Sequence, residues 1–168
     1  VKADYLVLGE AEITLNPFIQ DLLNNSARRI YDERSVRERH RTVRLTKGGK
    51  PLLETTPIPR WDLLDLHKYV SLTIQYSRGC PFNCEFCDIT KLFGRESRTK
   101  SPSQMVSELD SILNAKWAGP VFIVDDNFIG NKSNVRELLP VLTQWQKDHK
   151  YPFVFLTEAS MDLAMPNH

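Results

Sequence analysis

Apolar and polar residues alternate from Val70 to Ser77, with Val70, Leu72, Ile74 and Tyr76 on one side and Ser71, Thr73, Gln75 and Ser77 on the other. A period of two predicts a strand with one apolar and one polar face. Past residue 100 the period changes. Ser101-Pro102-Ser103-Gln104 reads as a capping box with proline at the first helical position. Met105, Val106, Leu109, Ile112 and Leu113 then recur at helical spacing until Gly119-Pro120. Val121-Phe122-Ile123-Val124 predicts a short buried strand, and residues 133–149 predict a second helix with Val135, Leu138, Leu139, Leu142 and Trp145 on its apolar face. Pro140 lies inside that helix and is expected to kink it. Phe153-Val154-Phe155-Leu156 predicts a third buried strand. Strands alternating with helices over short connections imply parallel strands joined by right-handed crossovers.

The pattern before residue 70 is less regular. Tyr5 to Leu8 reads as a buried parallel strand, Gly9-Glu10-Ala11-Glu12 as a turn, and Asn16-Pro17 as a helix start. Phe18, Ile19, Leu22 and Leu23 would give that helix its apolar face. This βα unit reads as the last of a sheet whose earlier strands lie upstream. Gly48-Gly49 predicts a hairpin turn between residues 43–45 and 52–53. Pro51, Pro57 and Pro59 then mark an extended linker that ends at Trp61-Asp62-Leu63-Leu64. The chain divides into 1–46, a linker over 47–69, and 70–168.

Composition narrows the class. The 168 residues are 41% hydrophobic and 26% charged, values of a globular protein, and no stretch approaches the roughly 18 consecutive apolar residues of a membrane span. A formal net charge of +1 gives no global attraction to nucleic acid. The local exception is a basic run of Arg28, Arg29, Arg34, Arg37, Arg39, Arg41, Arg44, Lys47 and Lys50 against Asp32, Glu33 and Glu38. Tyr31 is its one aromatic, too few for a stacking platform, so no nucleic-acid partner is expected. The chain opens Val1-Lys2-Ala3-Asp4 without an initiator methionine and reads as a truncated fragment of a longer protein.

Chemistry concentrates at predicted strand ends. All three cysteines lie in Gly79-Cys80-Pro81-Phe82-Asn83-Cys84-Glu85-Phe86-Cys87, directly after the first strand. Asp125-Asp126-Asn127 follows the second strand and Glu158-Ala159-Ser160 the third. Parallel strands put their C-terminal ends on one rim, where βα architectures place active sites. The odd, clustered cysteines make a poor disulfide framework and suit a reducing cytosol. A structural zinc site asks for a fourth Cys or His, and the nearest histidine, His67, precedes the strand. A dithiol pair at Cys84 and Cys87 would leave Cys80 unexplained. Three thiolates without a fourth suit an iron–sulfur cluster with one open iron, a catalytic rather than an electron-storing design.

The order strand, C-x₃-C-x-aromatic-C, then βα units resembles the radical S-adenosylmethionine superfamily from about Val70 onward. Asp125-Asp126-Asn127-Phe128 and Pro57-Ile58-Pro59-Arg60-Trp61-Asp62-Leu63-Leu64 are similar to the subset with an N-terminal cobalamin-binding domain, including hopanoid-methylating enzymes. The resemblance implies an α/β fold: the tail of a Rossmann-like domain over 1–46, the linker, and the first half of a partial (β/α) barrel over 70–168. It implies that Cys80, Cys84 and Cys87 ligate a 4Fe–4S cluster whose open iron takes S-adenosylmethionine. Phe86 would lie near the adenine, and Asp125, Asp126, Asn127, Glu158 and Ser160 would bind the cofactor. An external electron donor would then drive formation of a 5′-deoxyadenosyl radical. The Asp-x-His-x-x-Gly motif that would bind cobalamin is not in this chain, so any cobalamin would come from an upstream domain. The implied activity is cytoplasmic methyl transfer to a small-molecule or lipid-like substrate. Methylthiolation of tRNA and a metal-stabilised interaction module are the alternatives, and no residue is singled out as contacting substrate. Gly94-Arg95 and Arg98-Thr99-Lys100 resemble a basic stretch that follows the cluster loop in the same subset.

Overall fold

The computed structural model describes residues 2–37 and 44–164. Glu38, Arg39 and Arg41 of the basic run, Val43 of the hairpin and the last four residues of the 70–168 segment lie outside them. The chain forms two compact units, Val1–Thr56 and Pro57–His168. Both are α/β with parallel strand pairs.

In the first unit, β1 (Leu6–Val7) runs parallel to β2 (Ile30–Tyr31), with α1 (Ala11–Leu23) between them and α2 (Glu33–Arg37) after. Helix α1 starts six residues before the Asn16-Pro17 start expected from sequence. Glu10 is buried and its carbonyl accepts both the Ile13 amide and the Thr14 hydroxyl, which sets the first turn there. Pro17 therefore sits inside the helix, where its missing donor leaves one carbonyl without its usual partner. Ile13, Thr14 and Pro17 form the buried face, while of the predicted face only Phe18 packs on the core and Ile19, Leu22 and Leu23 are exposed. Strand β1 is also less buried than expected, with Leu6 and Leu8 exposed. The core of this unit is small: Ile13, Tyr31 and Val36, flanked by Val7 and Phe18. The turn at Gly48-Gly49 forms, closed by the Leu45–Pro51 bridge and the Thr46 amide to the Lys50 carbonyl, 2.8 Å.

The second unit holds a sheet ordered β3 (Leu72–Ile74), β6 (Val121–Ile123), β7 (Phe155–Thr157), parallel throughout. Before it, the chain makes short 3-10 turns at Trp61–Leu63 and Leu66–Lys68. Between β3 and β6 come β4 (Ser77–Arg78), the one-turn helix α3 (Ile89–Leu92), β5 (Arg98–Thr99) antiparallel to β4, and α4 (Pro102–Asn114). Helix α4 opens as its sequence dictates, the Ser101 hydroxyl accepting the Gln104 amide with Pro102 at the first helical position. Helix α5 (Lys132–Asp148) opens the same way, Asn131 capping the Asn134 amide, and contains Pro140.

Leu72, Ile74 and Tyr76 face a core built from Met105, Leu109 and Ile112 of α4 and Val135, Leu138 and Trp145 of α5. Full burial of each such aliphatic side chain contributes roughly 1.5–3 kcal/mol. The two helices touch, and the Trp145 indole donates to Asp110 across them, 2.7 Å. Three predictions of burial need correction. Val70 precedes the paired residues and is 89% exposed, Leu139 faces outward, and β7 is an edge strand with Leu156 half exposed. Apolar content alone does not distinguish a central strand from an edge one; here β6 holds the centre, and Phe153 carries the buried position ahead of β7. Among the described residues no helix is long and apolar enough to cross a membrane.

Candidate functional site

The cysteine loop leaves the sheet at Ser77 and returns at Thr99, the paired residues of the β4–β5 ribbon. Gly79 has φ +94°, and a Cβ there would lie 2.5 Å from the Glu96 carbonyl oxygen, so only glycine lets the loop cross its own return strand. The Cys80 amide donates to the Gly94 carbonyl, 3.3 Å, and the Cys87 amide to the Cys84 carbonyl, 3.1 Å, closing a turn around Glu85-Phe86. Arg95 donates to the Pro81 carbonyl at 3.1 Å, and Arg98, buried, to the Phe93 carbonyl at 3.1 Å. The basic stretch after the cysteines therefore braces the loop. Lys100, also buried, pairs with the fully buried Glu108 of α4.

Within this frame the thiols stay accessible. Cys84 is exposed, Cys80 and Cys87 half-buried, and all three are free. Phe86 is 92% exposed, an aromatic surface with almost nothing over it.

At the end of β6 the three polar residues diverge in role. Asp125 is buried, and its two carboxylate oxygens accept the Tyr76 and Ser77 amides, each at 2.8 Å. Burial pushes its carboxyl above the ordinary range, with the hydrogen bonds from Ser77 and Tyr76 opposing. Asn127 is buried and bound to Ser160: its Oδ1 accepts the Ser160 amide at 3.1 Å, and its amide group donates to the Ser160 hydroxyl at 3.1 Å. The Ser160 hydroxyl also donates to Asp162, which pairs with Lys132 at 2.7 Å. Between them Asp126 is exposed, near the Gly79 amide at the root of the cysteine loop. Partial burial pushes its carboxyl up, Gly79 and the Arg78 guanidinium draw it down, and the nearby Glu158 charge adds to the rise. Glu158 is exposed, and its carbonyl accepts the Phe128 amide at 2.9 Å. Asp125, Asp126, Asn127, Glu158, Ser160 and the root of the cysteine loop thus meet at one end of the sheet.

Arg78, Asn134 and Glu108 were not singled out from sequence. Arg78 lies over the Phe93 ring and donates to Gln75 at 2.9 Å, next to Asp126. The Thr99 hydroxyl accepts from Asn134 at 2.6 Å, tying the return strand to α5. Glu108 carried a legible signal: it shares the 105, 109, 112 face of α4, where an unpaired charge would not be buried. A groove of about 410 Å³ adjoins this rim, lined by Phe128, Val135, Leu139, Thr157 and Ala159 among others, and includes no cysteine-loop residue.

Among the described residues no three Cys, His, Asp or Glu side chains meet closely enough to hold a single metal ion. A four-iron cube spreads its ligands over separate irons, and three free thiols on one accessible loop match that donor set. The residues fit a cluster with three sulfur ligands.

No protein-family model matches the chain. It is 51% identical over 163 residues to an uncharacterized methyltransferase of Synechocystis sp., covering 96% of this chain and 28% of that protein. It is 37% identical over 161 residues to the hopanoid C-2 methylase of Rhodopseudomonas palustris, covering 96% and 29% respectively. With the bacteriochlorophyllide d C-8(2)-methyltransferase of Chlorobaculum tepidum it shares 26% identity over 155 residues, 84% of this chain and 32% of that one. The chain thus spans about a third or less of the length of these relatives. Over most of its length the chain is related to these methyltransferases, consistent with its being part of a radical S-adenosylmethionine enzyme.

Proposed function

We propose that this chain is the cluster-bearing part of a radical S-adenosylmethionine methyltransferase that generates a 5′-deoxyadenosyl radical. The observation that carries the reading is the rooting of an accessible three-thiol loop at the ends of three parallel strands, through the Tyr76 and Ser77 amides that Asp125 holds. Cys80, Cys84 and Cys87 would ligate a 4Fe–4S cluster, which supplies a single electron to bound S-adenosylmethionine. Asp126, exposed beside the loop root, suits the ammonium of the cofactor's methionine, and Glu158 adds negative charge to the same patch. Phe86 offers its exposed ring to the adenine.

In the longer protein, residues 1–46 form the tail of a Rossmann-like domain, 47–69 a linker, and 70–168 the first half of a partial barrel. The exposed apolar side chains of β1 and α1 and the open edge at β7 support that extension. The barrel excludes water so that the radical meets only its substrate. The 37% identity to the hopanoid C-2 methylase supports methyl transfer to a small-molecule or lipid-like substrate, and cobalamin bound by an upstream domain would be the methyl carrier. An external reductant supplies the electron. Three free thiols are compatible with a reducing, cytoplasmic setting. RNA has weak support as a substrate, because Arg28 and Lys50 of the basic run are engaged with Asp21, Glu10 and Glu33.

The test is product analysis. The full-length protein, reconstituted anaerobically and given reductant and S-adenosylmethionine, is expected to release 5′-deoxyadenosine, and Cys84→Ala is expected to release none. Equal product from both would refute the assignment.

A further inference from the structure

Asp125 and Asn127 flank Asp126 in the chain, and both are buried while Asp126 is not. Their polar atoms are directed to neighbouring strand ends and not to open space. The Asp125 carboxylate spans two successive amides, Tyr76 and Ser77, at the point where the chain leaves β3 for the cysteine loop. The Asn127 amide grips the backbone and the hydroxyl of Ser160, beyond β7. One residue thus ties β6 to β3, and the next but one ties β6 to β7. Neither bond belongs to the strand ladders, which end at Ile74, Ile123 and Thr157.

We propose that Asp125 and Asn127 are positioning residues, two buried staples that fix the three strand ends so that Asp126, the Gly79 amide and Glu158 hold one arrangement. The inference rests on the proposed cofactor-binding role of Asp126 and departs from that role for Asp125 and Asn127. Each oxygen of the Asp125 carboxylate already accepts a backbone amide, and the Asn127 side chain both accepts from and donates to Ser160. Strain or slack in either staple would move Asp126 relative to the loop root without touching a thiol.

Two measurements on the full-length protein test this. In the first, the electron paramagnetic resonance spectrum of the reduced, reconstituted protein is titrated with S-adenosylmethionine for the parent, Asp125→Asn, Asn127→Ala and Asn127→Asp. Asp125→Asn faces one amide with a second donor, and Asn127→Ala removes both contacts to Ser160. Both variants are expected to keep the parent's iron content and cofactor-free spectrum while needing at least about tenfold more cofactor for the spectral change. Asn127→Asp, which still accepts the Ser160 amide, should recover most of that shift. Unchanged titrations, or loss of iron in both variants, would overturn the proposal.

The second measurement needs no cluster. Amide exchange at Tyr76 and Ser77 should accelerate at least about tenfold in Asp125→Asn, and at Ser160 in Asn127→Ala. Parental protection at those amides would refute the staples whatever the metal content. A parent that takes up no iron would instead refute the proposed function and leave the exchange result to decide the staples.

Discussion

The cysteine loop and the Asp125–Asn127 segment meet at one rim and are built in opposite ways. The loop directs its chemical groups outward: Cys84 and Phe86 are exposed, and its shape is held by backbone contacts and by the arginines that follow it. The strand-end segment turns two of its three polar groups inward onto backbone amides and a serine, leaving only Asp126 at the surface. Polar residues at a strand end are therefore not equivalent evidence of a binding role. Where they are buried and paired with backbone they shape the site; where they are exposed beside it they are available to a ligand.

Substitutions that separate shape from chemistry sharpen this contrast. The largest effect on stability is expected at the far anchor of the loop. Glu108→Gln leaves the Lys100 ammonium buried without its counter-charge and should cost about 3–5 kcal/mol in urea denaturation. Burial holds the Glu108 carboxyl above the ordinary carboxylate range, with Lys100 drawing it back.

Next is Gly79→Ala, expected to cost about 2 kcal/mol because the added Cβ meets the Glu96 carbonyl at a positive φ. Iron uptake should fall with it, since the displaced segment carries Cys80. A variant as stable as the parent would show that the loop can cross its return strand by another path. The smallest effect on stability, under about 0.5 kcal/mol for the metal-free protein, is expected for Cys84→Ala, whose side chain is exposed. Its iron content should nonetheless collapse. A large loss of metal-free stability would mean that this thiol supports the fold.

How much of this was legible depended on whether the deciding interactions were local. Helix α4 could be read because Ser101-Pro102 and the 105, 109, 112 spacing specify its start and its buried face within a few residues. Helix α1 was misplaced because Asn16-Pro17 imitates a helix start, whereas the true start is set by the buried Glu10 and its contacts. The edge position of β7 follows from sheet order, which no property of Phe153 to Leu156 reveals. At the site, spacing brought out the thiols and strand ends brought out Asp125, Asp126, Asn127, Glu158 and Ser160. It could not separate staples from ligands, because the partners of Asp125 lie 48 and 49 residues away and that of Asn127 lies 33 away.

The most direct test of the cluster assignment is reconstitution of the full-length protein with iron and sulfide under anaerobic conditions, followed by electron paramagnetic resonance of the reduced sample with and without S-adenosylmethionine. The account predicts a reduced 4Fe–4S signal that changes shape when the cofactor is added, because the three thiols Cys80, Cys84 and Cys87 leave one iron open to it. A signal indifferent to the cofactor, or a sample that binds zinc and no cluster, would contradict it.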